Sequence, residues 1–437
     1  MKLKLVFPSS RKSDPERMGR KQPKAHRYPG LGLLTVAALC SSDVNVQLID
    51  DDFEEINYRD ETDLVGISVL TPNAFRAYEI SRKFRDRRVP VVLGGLHVSA
   101  CPTEASINAD AVVLGEAEDT WPELLRDFEK GKLRKIYRST NNSDLANLPF
   151  PRRSLLKRNK YITVNTVQAA RGCRFNCEFC CMTSLFGSKI RCRPVEEVVE
   201  EIRSLGGRSF LLNDDNIAQM SGYYQELFLR LIPLKKRWIA QASWNIGSDA
   251  ETLDLLEKSG CRGLAIGFES LVPQQGVKKI VSSPVPGLLY KEVIKELHDR
   301  NITVLGNFVF GFDHEDESTF EKILAFTLES QLDVVQLYIL TPYPGTGLFN
   351  RLKAEGRILD ENWSRYVTSN LCFELKTMPR EVFLKKYAWL KKRLHSYPLI
   401  ARRVVRAAKR LTPFELGILL GINLGNRTYL RSPYLYS

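Results

Sequence analysis

The stretch ARGCRFNCEFCC, residues 170–181, decides the fold of this chain. It continues an apolar run that is predicted to be a strand, and it holds Cys173, Cys177 and Cys180 in a C-x3-C-x2-C pattern. Thiolates are the usual protein ligands of iron–sulfur clusters, and one short loop can wrap three of them around a single cube. One iron of such a cluster keeps an open coordination position. The loop therefore predicts a 4Fe-4S cluster with three protein ligands.

A zinc knuckle is the alternative for the same loop, with Cys181 or Cys192 as the fourth ligand. Zinc sites usually pair their ligands as C-x2-C with a second pair at a distance, and this loop does not. We therefore favour the cluster and interpret Cys181 and Cys192 as bystanders. Nine cysteines in 437 residues are too few and too unevenly placed for a disulfide framework, which agrees with reduced thiols.

Six strand and helix repeats are predicted from Tyr161 onward. Six repeats are enough for a partial (β/α)6 barrel of the TIM type, whose functional groups lie at the carboxyl ends of the strands. The predicted strands are YITVNTVQAA (161–170), RSFLLND (208–214), WIAQASW (238–244), RGLAIGFES (262–270), ITVLGNFVFG (302–311) and VVQLYIL (334–340).

The amino-terminal part also alternates strands with helices. This pattern predicts an α/β, doubly wound, Rossmann-like parallel sheet, whose ligands lie outside the carboxyl ends of the strands. Predicted strands cover 3–7, 44–50, 63–70, 89–95 and 109–115, and predicted helices cover 30–40, 103–108 and 118–129. We expect an amino-terminal domain at 1–140, a linker at 141–160, the barrel at 161–345 and a mostly helical carboxyl-terminal extension at 346–437.

The charge of the chain is strongly positive, with a formal net charge of +13. No zinc-finger or RNA-binding signature accompanies the basic clusters, so no nucleic-acid partner is predicted. The first residues lack the features of a signal peptide, and no apolar run is long enough to span a bilayer, which predicts a cytoplasmic protein. The tail joins ARRVVRAAKRL (401–411) to FELGILLGINLG (414–425). It predicts either a helix packed on the barrel or peripheral contact with a membrane surface.

The cysteine motif resembles that of the radical S-adenosylmethionine (SAM) superfamily. The resemblance includes its place after the first strand of a six-strand barrel and the aromatic Phe179 before the last cysteine. It implies that SAM binds the open iron and is cleaved reductively, with Cys173, Cys177 and Cys180 as catalytic cluster ligands. It also implies that Phe179 and the polar strand ends contact the cofactors. These strand-end residues are Asp214, Asp215 and Asn216 of LLNDDN, Glu269 and Ser270 of AIGFES, and Gly311 of GNFVFGFDHED.

The amino-terminal part resembles the cobalamin-binding domain of one large radical SAM class. The resemblance rests on GISVL (66–70), LGGLHVSACPTEA (93–105) and LGEAED (114–119). It implies that Ser68, Gly94 and Gly95 contact cobalamin, because glycines let the backbone lie flat against a bulky ligand.

The D-x-H-x-x-G signature of this domain, whose histidine binds cobalt, is missing, since Asp50 and Asp51 are followed by Asp52 and Phe53. Two hypotheses follow. Either cobalamin binds without a histidine ligand, which we favour, or the domain keeps the fold without a corrin. His97 is interpreted as a packing or nucleotide-loop residue.

The resemblance covers about residues 1–395, and TPYPGTGLFNRLKAEGRIL (341–359) extends it toward the subgroup that includes the hopanoid methylases. It implies cobalamin-dependent methylation of an unactivated carbon, with a small-molecule or lipid substrate and an electron donor such as flavodoxin or ferredoxin. Two alternatives stay open. One is a radical SAM enzyme that performs a cyclisation, a carbon–carbon bond formation or a rearrangement without cobalamin, and the other is a non-catalytic metal-binding module.

Overall fold

The structure, a computed structural model, describes residues 1–14, 28–139, 143–271 and 286–428. Its amino-terminal part is a parallel sheet with helices on both faces. The strands are β1 (Lys2–Phe7), β2 (Asn45–Asp50), β3 (Leu64–Ser68), β4 (Val91–Gly94), β5 (Ala111–Leu114) and β6 (Ile136–Arg138). The helices are α1 (Leu31–Ala38), α2 (Ala74–Arg85), α3 (Leu96–Ala100), α4 (Pro102–Ile107) and α5 (Thr120–Glu129).

The strand order β2-β1-β3-β4-β5-β6 places the crevice of this sheet. Because side chains alternate along a strand, Leu3 and Leu5 of β1 pack with α1 and α5 on one face, while Val6 packs with α2 on the other. The winding direction reverses between β1 and β3, and an open parallel sheet binds its ligand at such a switch point.

The second part is another parallel sheet of six strands, which confirms the α/β architecture predicted from the sequence. Its strands follow the order β14-β13-β12-β11-β10-β7, and a separate antiparallel pair, β8 with β9, flanks the cysteine loop. The elements in chain order are β7 (Thr166–Val167), β8 (Ala170–Arg171), α6 (Cys181–Phe186), β9 (Arg191–Cys192), α7 (Val195–Ser204), β10 (Ser209–Leu212), α8 (Ser221–Leu231), β11 (Arg237–Ser243), α9 (Ala250–Lys258), β12 (Cys261–Glu269), α10 (Pro286–Asp299), β13 (Thr303–Phe310), α11 (Ser318–Glu329) and β14 (Val334–Ile339).

The first barrel strand is much shorter than the predicted run 161–170. Only β7 pairs with β10, because the chain then turns away and β8 pairs with β9 instead. The Asp214 carboxylate fixes this turn by accepting hydrogen bonds from the backbone N–H groups of Ala169 and Ala170.

The carboxyl-terminal extension is mostly helical and packs on both sheets. Trp363 and Tyr366 join the apolar core of the amino-terminal part, and Phe383 and Tyr387 join the core of the barrel. Its helices are α12 (Gly347–Ala354), α13 (Arg380–Leu394), α14 (Tyr397–Ala407) and α15 (Pro413–Thr428). Short 3-10 turns lie at Thr71–Asn73, Arg153–Leu155, Arg158–Lys160, Ile232–Leu234, Trp244–Ser248 and Trp363–Arg365. Within the described ranges no helix has both the length and the hydropathy that crossing a bilayer requires.

Candidate active site

The cysteine loop lies between β8 and α6, at the carboxyl end of the barrel sheet. Gly172 opens it with a φ of 103°, and a Cβ atom there would come within 2.4 Å of the Lys189 carbonyl oxygen, so only glycine fits. The Cys180 N–H donates to the Cys177 carbonyl oxygen at 3.0 Å, which makes a tight turn, and α6 begins directly after Cys180. The loop thus holds its three cysteines on one compact stretch of backbone.

The Cys173 sulfur receives side-chain amide groups from the segment after β10. Gln219 Nε2 donates to Cys173 Sγ at 3.2 Å, and Asn216 Nδ2 lies 4.0 Å from the same sulfur. No disulfide joins any of the nine cysteines, all of which lie in the described ranges. A sulfur that accepts amide hydrogen bonds beside two further thiols is the donor set of an iron–sulfur cluster, so these residues fit that group.

The acidic residues after β10 support the backbone that leads into the cysteine loop. Asp214 is fully buried and accepts hydrogen bonds from Ala169 N, Ala170 N and the Tyr224 hydroxyl at 2.7, 3.1 and 2.8 Å. Burial raises the pKa of Asp214 to about 7. Asp215 accepts a hydrogen bond from Gly172 N at 2.8 Å, and burial raises its pKa as well. Both side chains therefore fix the backbone just before Cys173.

Asn216, the third predicted residue of this segment, connects two strand ends. Its Oδ1 accepts from Ser243 N at 2.9 Å, and its Nδ2 donates to Ser243 Oγ at 2.9 Å. These bonds orient Asn216 toward the end of β11 as well as toward Cys173.

Glu269 is the last residue of β12, where the register of its pairing with β13 shifts, and Ser270 follows directly. Glu269 adopts a φ of 60°, which is uncommon for a residue other than glycine and often marks a functional position. Burial raises the pKa of Tyr338 to about 12, and the negative charge of Glu269 adds to the effect. Glu269 thus lies near Tyr338 of β14.

The segment that contains Gly311 contacts the cysteine loop through Phe312, the next residue. Phe179 packs edge to face against Phe312, with ring centroids 6.0 Å apart. Gly311 N and Phe312 N both donate to Glu315 Oε2, at 2.6 and 3.1 Å. Burial raises the pKa of Glu315 to about 8. A cavity of about 410 Å³ adjoins Gly311 and Glu178.

A second cavity, of about 290 Å³, lies where the two sheets face each other. Ser68, Gly94 and Gly95 line its amino-terminal wall, and Arg171 and Asp215 belong to its barrel wall. The predicted cobalamin contacts and Gly172, which opens the cysteine loop, therefore line the same cavity.

Two of the glycines that line this cavity stand where the protein leaves no room for a Cβ atom. A Cβ atom on Gly66 would meet Leu5 at 2.8 Å and Trp121 at 3.2 Å. A Cβ atom on Gly95, whose φ is 107°, would lie 2.7 Å from the Val69 carbonyl oxygen. A mostly apolar cavity at a switch point, with several glycines in its walls, fits the tail of a bulky nucleotide cofactor such as cobalamin.

Among the described residues no histidine lines this cavity, and the acidic residues at the end of β2 have structural partners. Asp51 pairs with Arg76 and Lys12, and Asp50 accepts a hydrogen bond from the Tyr161 hydroxyl. His97 is buried and packs edge to face against Trp363, as its interpretation as a packing residue predicts.

Three residues of the site were not predicted from the sequence. Gln219 holds Cys173, Glu315 holds Gly311, and Arg171 lines the cavity between the sheets. The G-x-x-x-E spacing from Gly311 to Glu315 was a signal for the second of them. Gln219 and Arg171 had no signal, because their partners lie far away in the chain or in the other sheet.

Two family models match this chain. The model described as "B12 binding domain" matches residues 25–125, and the model described as "Radical SAM superfamily" matches residues 167–327.

Curated relatives match most of the chain. It is 30% identical over 387 residues to bacteriochlorophyllide d C-12(1)-methyltransferase of Chlorobaculum tepidum, which covers 86% of this chain and 84% of the relative. It is 26% identical over 352 residues to hopanoid C-2 methylase of Rhodopseudomonas palustris, with 76% and 66% of the two chains covered.

Among solved structures, the fold is similar to that of the radical SAM methyltransferase TsrM from Kitasatospora setae, which holds cobalamin and a 4Fe-4S cluster. The TM-score is 0.61 at 18% sequence identity, with 81% of this chain and 78% of that one covered. At this identity the likeness concerns the fold.

Proposed function

Since this chain belongs to the radical SAM superfamily, in the class with a B12-binding domain ahead of the barrel, we propose that it methylates an unactivated carbon of an apolar small molecule. Its cofactors are a 4Fe-4S cluster, SAM and cobalamin. Experiments with candidate substrates identify the substrate and the carbon that is methylated.

The cavity between the two sheets carries the proposal. Its walls come from the glycine loops of the amino-terminal sheet and from Arg171, Gly172 and Asp215, which adjoin Cys173 in the chain or hold its loop. A methyl carrier bound in this cavity would therefore lie close to the cysteine loop. A scaffold without cobalamin would have no use for a glycine-lined cavity that opens on this loop.

The side chains of the site have distinct proposed roles. Cys173, Cys177 and Cys180 hold the cluster, and Asp214 and Asp215 fix the backbone from which they project. When bound, the cluster and SAM supply hydrogen abstraction, and cobalamin supplies the methyl group.

The SAM and cobalamin contacts remain proposals as well. Asn216, Glu269, Ser270 and the backbone at Gly311 are proposed to contact SAM, with Phe179 packed beside them. Ser68, Gly94 and Gly95 are proposed to contact cobalamin. The apolar side chains around them keep water away from the reacting atoms.

The last helix supports an apolar substrate that is reached at a membrane surface. In α15 the side chain of Asn423 is fully buried, whereas Phe414 is 69% exposed. Asn423 Nδ2 donates to the Asp333 carbonyl oxygen at 3.1 Å, so an amide anchors the helix to the barrel. The exposed face carries Phe414, Gly417, Ile418, Leu420, Gly421 and Leu424.

The side of this helix that faces the protein buries Leu419 together with Asn423, and the outward side is apolar as well. Water does not favour such a face, and an exposed apolar surface of this kind usually meets a partner. On the neighbouring α14 Arg402 is exposed, and so is Lys409, two residues after the end of that helix. Apolar side chains beside cations suit the interface of an anionic membrane, and we propose peripheral contact there.

A small electron-transfer protein is the other proposed partner. Reductive cleavage of SAM consumes one electron, and a flavodoxin or ferredoxin is a donor of the required kind. Such donors are acidic as a rule, and the net charge of +13 would favour their approach.

The proposal is tested by anaerobic purification in the presence of hydroxocobalamin. We expect the protein to retain a corrin and, with a strong reductant, to form 5'-deoxyadenosine and S-adenosylhomocysteine together when bacteriochlorophyllide d or a hopanoid is supplied. SAM with a deuterated methyl group should label the product. Formation of 5'-deoxyadenosine without corrin binding or methyl transfer would favour another radical SAM reaction. Gly94→Val, at a position where a Cβ atom keeps an ordinary contact distance of 3.6 Å to Val113, should lose the corrin and keep the cluster.

A further inference from the structure

Gln219 has a buried side chain whose amide group contacts both Cys173 and the residue that follows it. Its Oε1 accepts a hydrogen bond from Arg174 N at 2.7 Å. Its Nε2 donates to Cys173 Sγ at 3.2 Å. One amide therefore binds the sulfur of Cys173 and the backbone of the next residue.

The orientation of this amide follows from its partners. The Arg174 N–H can only donate, so it requires the carbonyl oxygen of Gln219 on its side. A flipped amide would oppose two donors and lose this bond. The amino group of Gln219 consequently points at the sulfur.

The segment around Gln219 is fixed on both sides. Ala218 N donates to Asn216 Oδ1 at 3.0 Å, and Asn245 Nδ2 donates to the Ala218 carbonyl oxygen at 3.0 Å. Met220 has a left-handed backbone with a φ of 54°, directly before α8. The donor is thus held in place before any cofactor binds.

We propose that Gln219 is a positioning residue that raises the reduction potential of the cluster through its N–H···S bond to Cys173. This proposal rests on Cys173 being a cluster ligand. Reduction adds negative charge to the cluster, and part of that charge lies on the thiolate sulfurs. A hydrogen bond to a thiolate stabilises the reduced state more than the oxidised state, and such bonds are one determinant of iron–sulfur potentials.

Asn216 contributes less than Gln219 to the same sulfur. Its Nδ2 is 4.0 Å from Cys173 Sγ and already donates to Ser243 Oγ at 2.9 Å. A hydrogen bond weakens steeply with distance and poor alignment. The single strong side-chain donor to Cys173 among the described residues is therefore Gln219.

The test compares Gln219→Leu and Gln219→Glu with a matched control, Gln225→Leu. Gln225 lies on α8 and donates to Asp249 and Thr252, away from the cysteine loop. Leucine removes both hydrogen bonds of Gln219. Glutamate keeps an acceptor for Arg174 N and replaces the donor by a group that loses its proton as the pH rises.

The measured quantity is the midpoint potential of the cluster in the intact protein, from a reductive titration followed by electron paramagnetic resonance. We expect a lower midpoint in Gln219→Leu and no shift in Gln225→Leu. In Gln219→Glu the midpoint should fall as the pH rises, because an ionised carboxylate beside the sulfur disfavours reduction. Cleavage of SAM by Gln219→Leu should fall with a weak reductant and recover with a strong one.

Unchanged midpoints in both Gln219 variants, at four irons per chain, would overturn the proposal. Loss of the cluster from both folded variants would also overturn it, because Gln219 would then build the loop and not set its potential. The yield of 5'-deoxyadenosine with a strong reductant, together with iron content, distinguishes these results from a failure of the proposed function. That failure would leave the wild-type protein without SAM cleavage.

Discussion

At the scale of single residues, the proposed cluster ligands Cys173, Cys177 and Cys180 give the clearest prediction. We expect alanine at Cys173, Cys177 or Cys180 to abolish 5'-deoxyadenosine formation and to lower the iron content, because a cube with only two protein ligands is poorly held. Alanine at Cys181, the next residue along, should keep both. Iron analysis and product chromatography under anaerobic conditions measure the two effects. Zinc in place of iron in the wild-type protein would contradict the assignment.

The Glu315 carboxyl predicts a dependence of stability on pH. Burial raises its pKa from 4.5 to about 8, so the folded state binds a proton that the unfolded chain releases. The stabilisation is complete below the unfolded pKa and is lost as the pH rises through the folded pKa. The slope is at most about 1.4 kcal/mol per pH unit for one proton.

Glu315→Gln tests this claim, since its amide oxygen can still accept from Gly311 N and Phe312 N and stays neutral. We expect the melting temperature of the variant to gain on that of the wild type between pH 6 and pH 9, as measured by thermal unfolding. If the melting temperatures of the variant and the wild type changed in parallel with pH, ionisation of Glu315 would not lower the stability of the folded state. Glu317→Gln, on a side chain that is more than half exposed, serves as the control.

At the scale of elements, the exposed apolar face of α15 predicts binding to anionic vesicles. We expect the wild-type protein to float with such vesicles at low salt and to be released partly by high salt. Phe414→Ser with Ile418→Ser should abolish flotation, because these changes remove the exposed apolar face. Leu229→Ser, which removes from α8 an apolar side chain whose exposure of 53% lies between 69% for Phe414 and 41% for Ile418, should float like the wild type. A wild-type protein that stays at the bottom in both salts refutes the contact.

The elements also show how far sequence reasoning reaches. The proposed cluster ligands could be named from the sequence because their spacing is local, and most strands were predictable because buried parallel strands are continuous apolar runs. α2 was missed because its buried positions Ala77, Ile80 and Phe84 stand among charged residues. The roles of Asp214 and Gln219 were beyond reach, because their partners lie 44 to 46 residues away in the chain.

At the scale of the whole molecule, ion pairs join the two sheets. We call this contact the seam, and it is formed by Glu116 and Glu118 of the amino-terminal part with Arg171 and Arg191 of the barrel part. Glu116, in the loop after β5, binds Arg191 of β9 through both carboxylate oxygens, at 2.6 and 2.8 Å. Arg171 of β8 lies 3.2 Å from the same carboxylate and pairs with Glu118 at 2.6 Å. Burial by itself would raise the pKa of Glu116, but the two arginines hold it below its ordinary value. Arg171 and both glutamates also line the cavity, so the seam and the proposed cobalamin site share their residues.

This shared construction predicts that weakening the seam also weakens corrin binding. Glu116→Gln leaves Arg191 buried beside a neutral partner, and breaking a buried pair in this way costs about 3–5 kcal/mol. We expect a melting temperature roughly 5–10 °C lower, together with less corrin retained after gel filtration. Glu61→Gln, which removes the exposed pair with Lys2, should change neither quantity. If the corrin content of Glu116→Gln matched that of the wild type despite the lower melting temperature, the cavity would bind its cofactor independently of the seam. The two sheets would then be joined for stability alone.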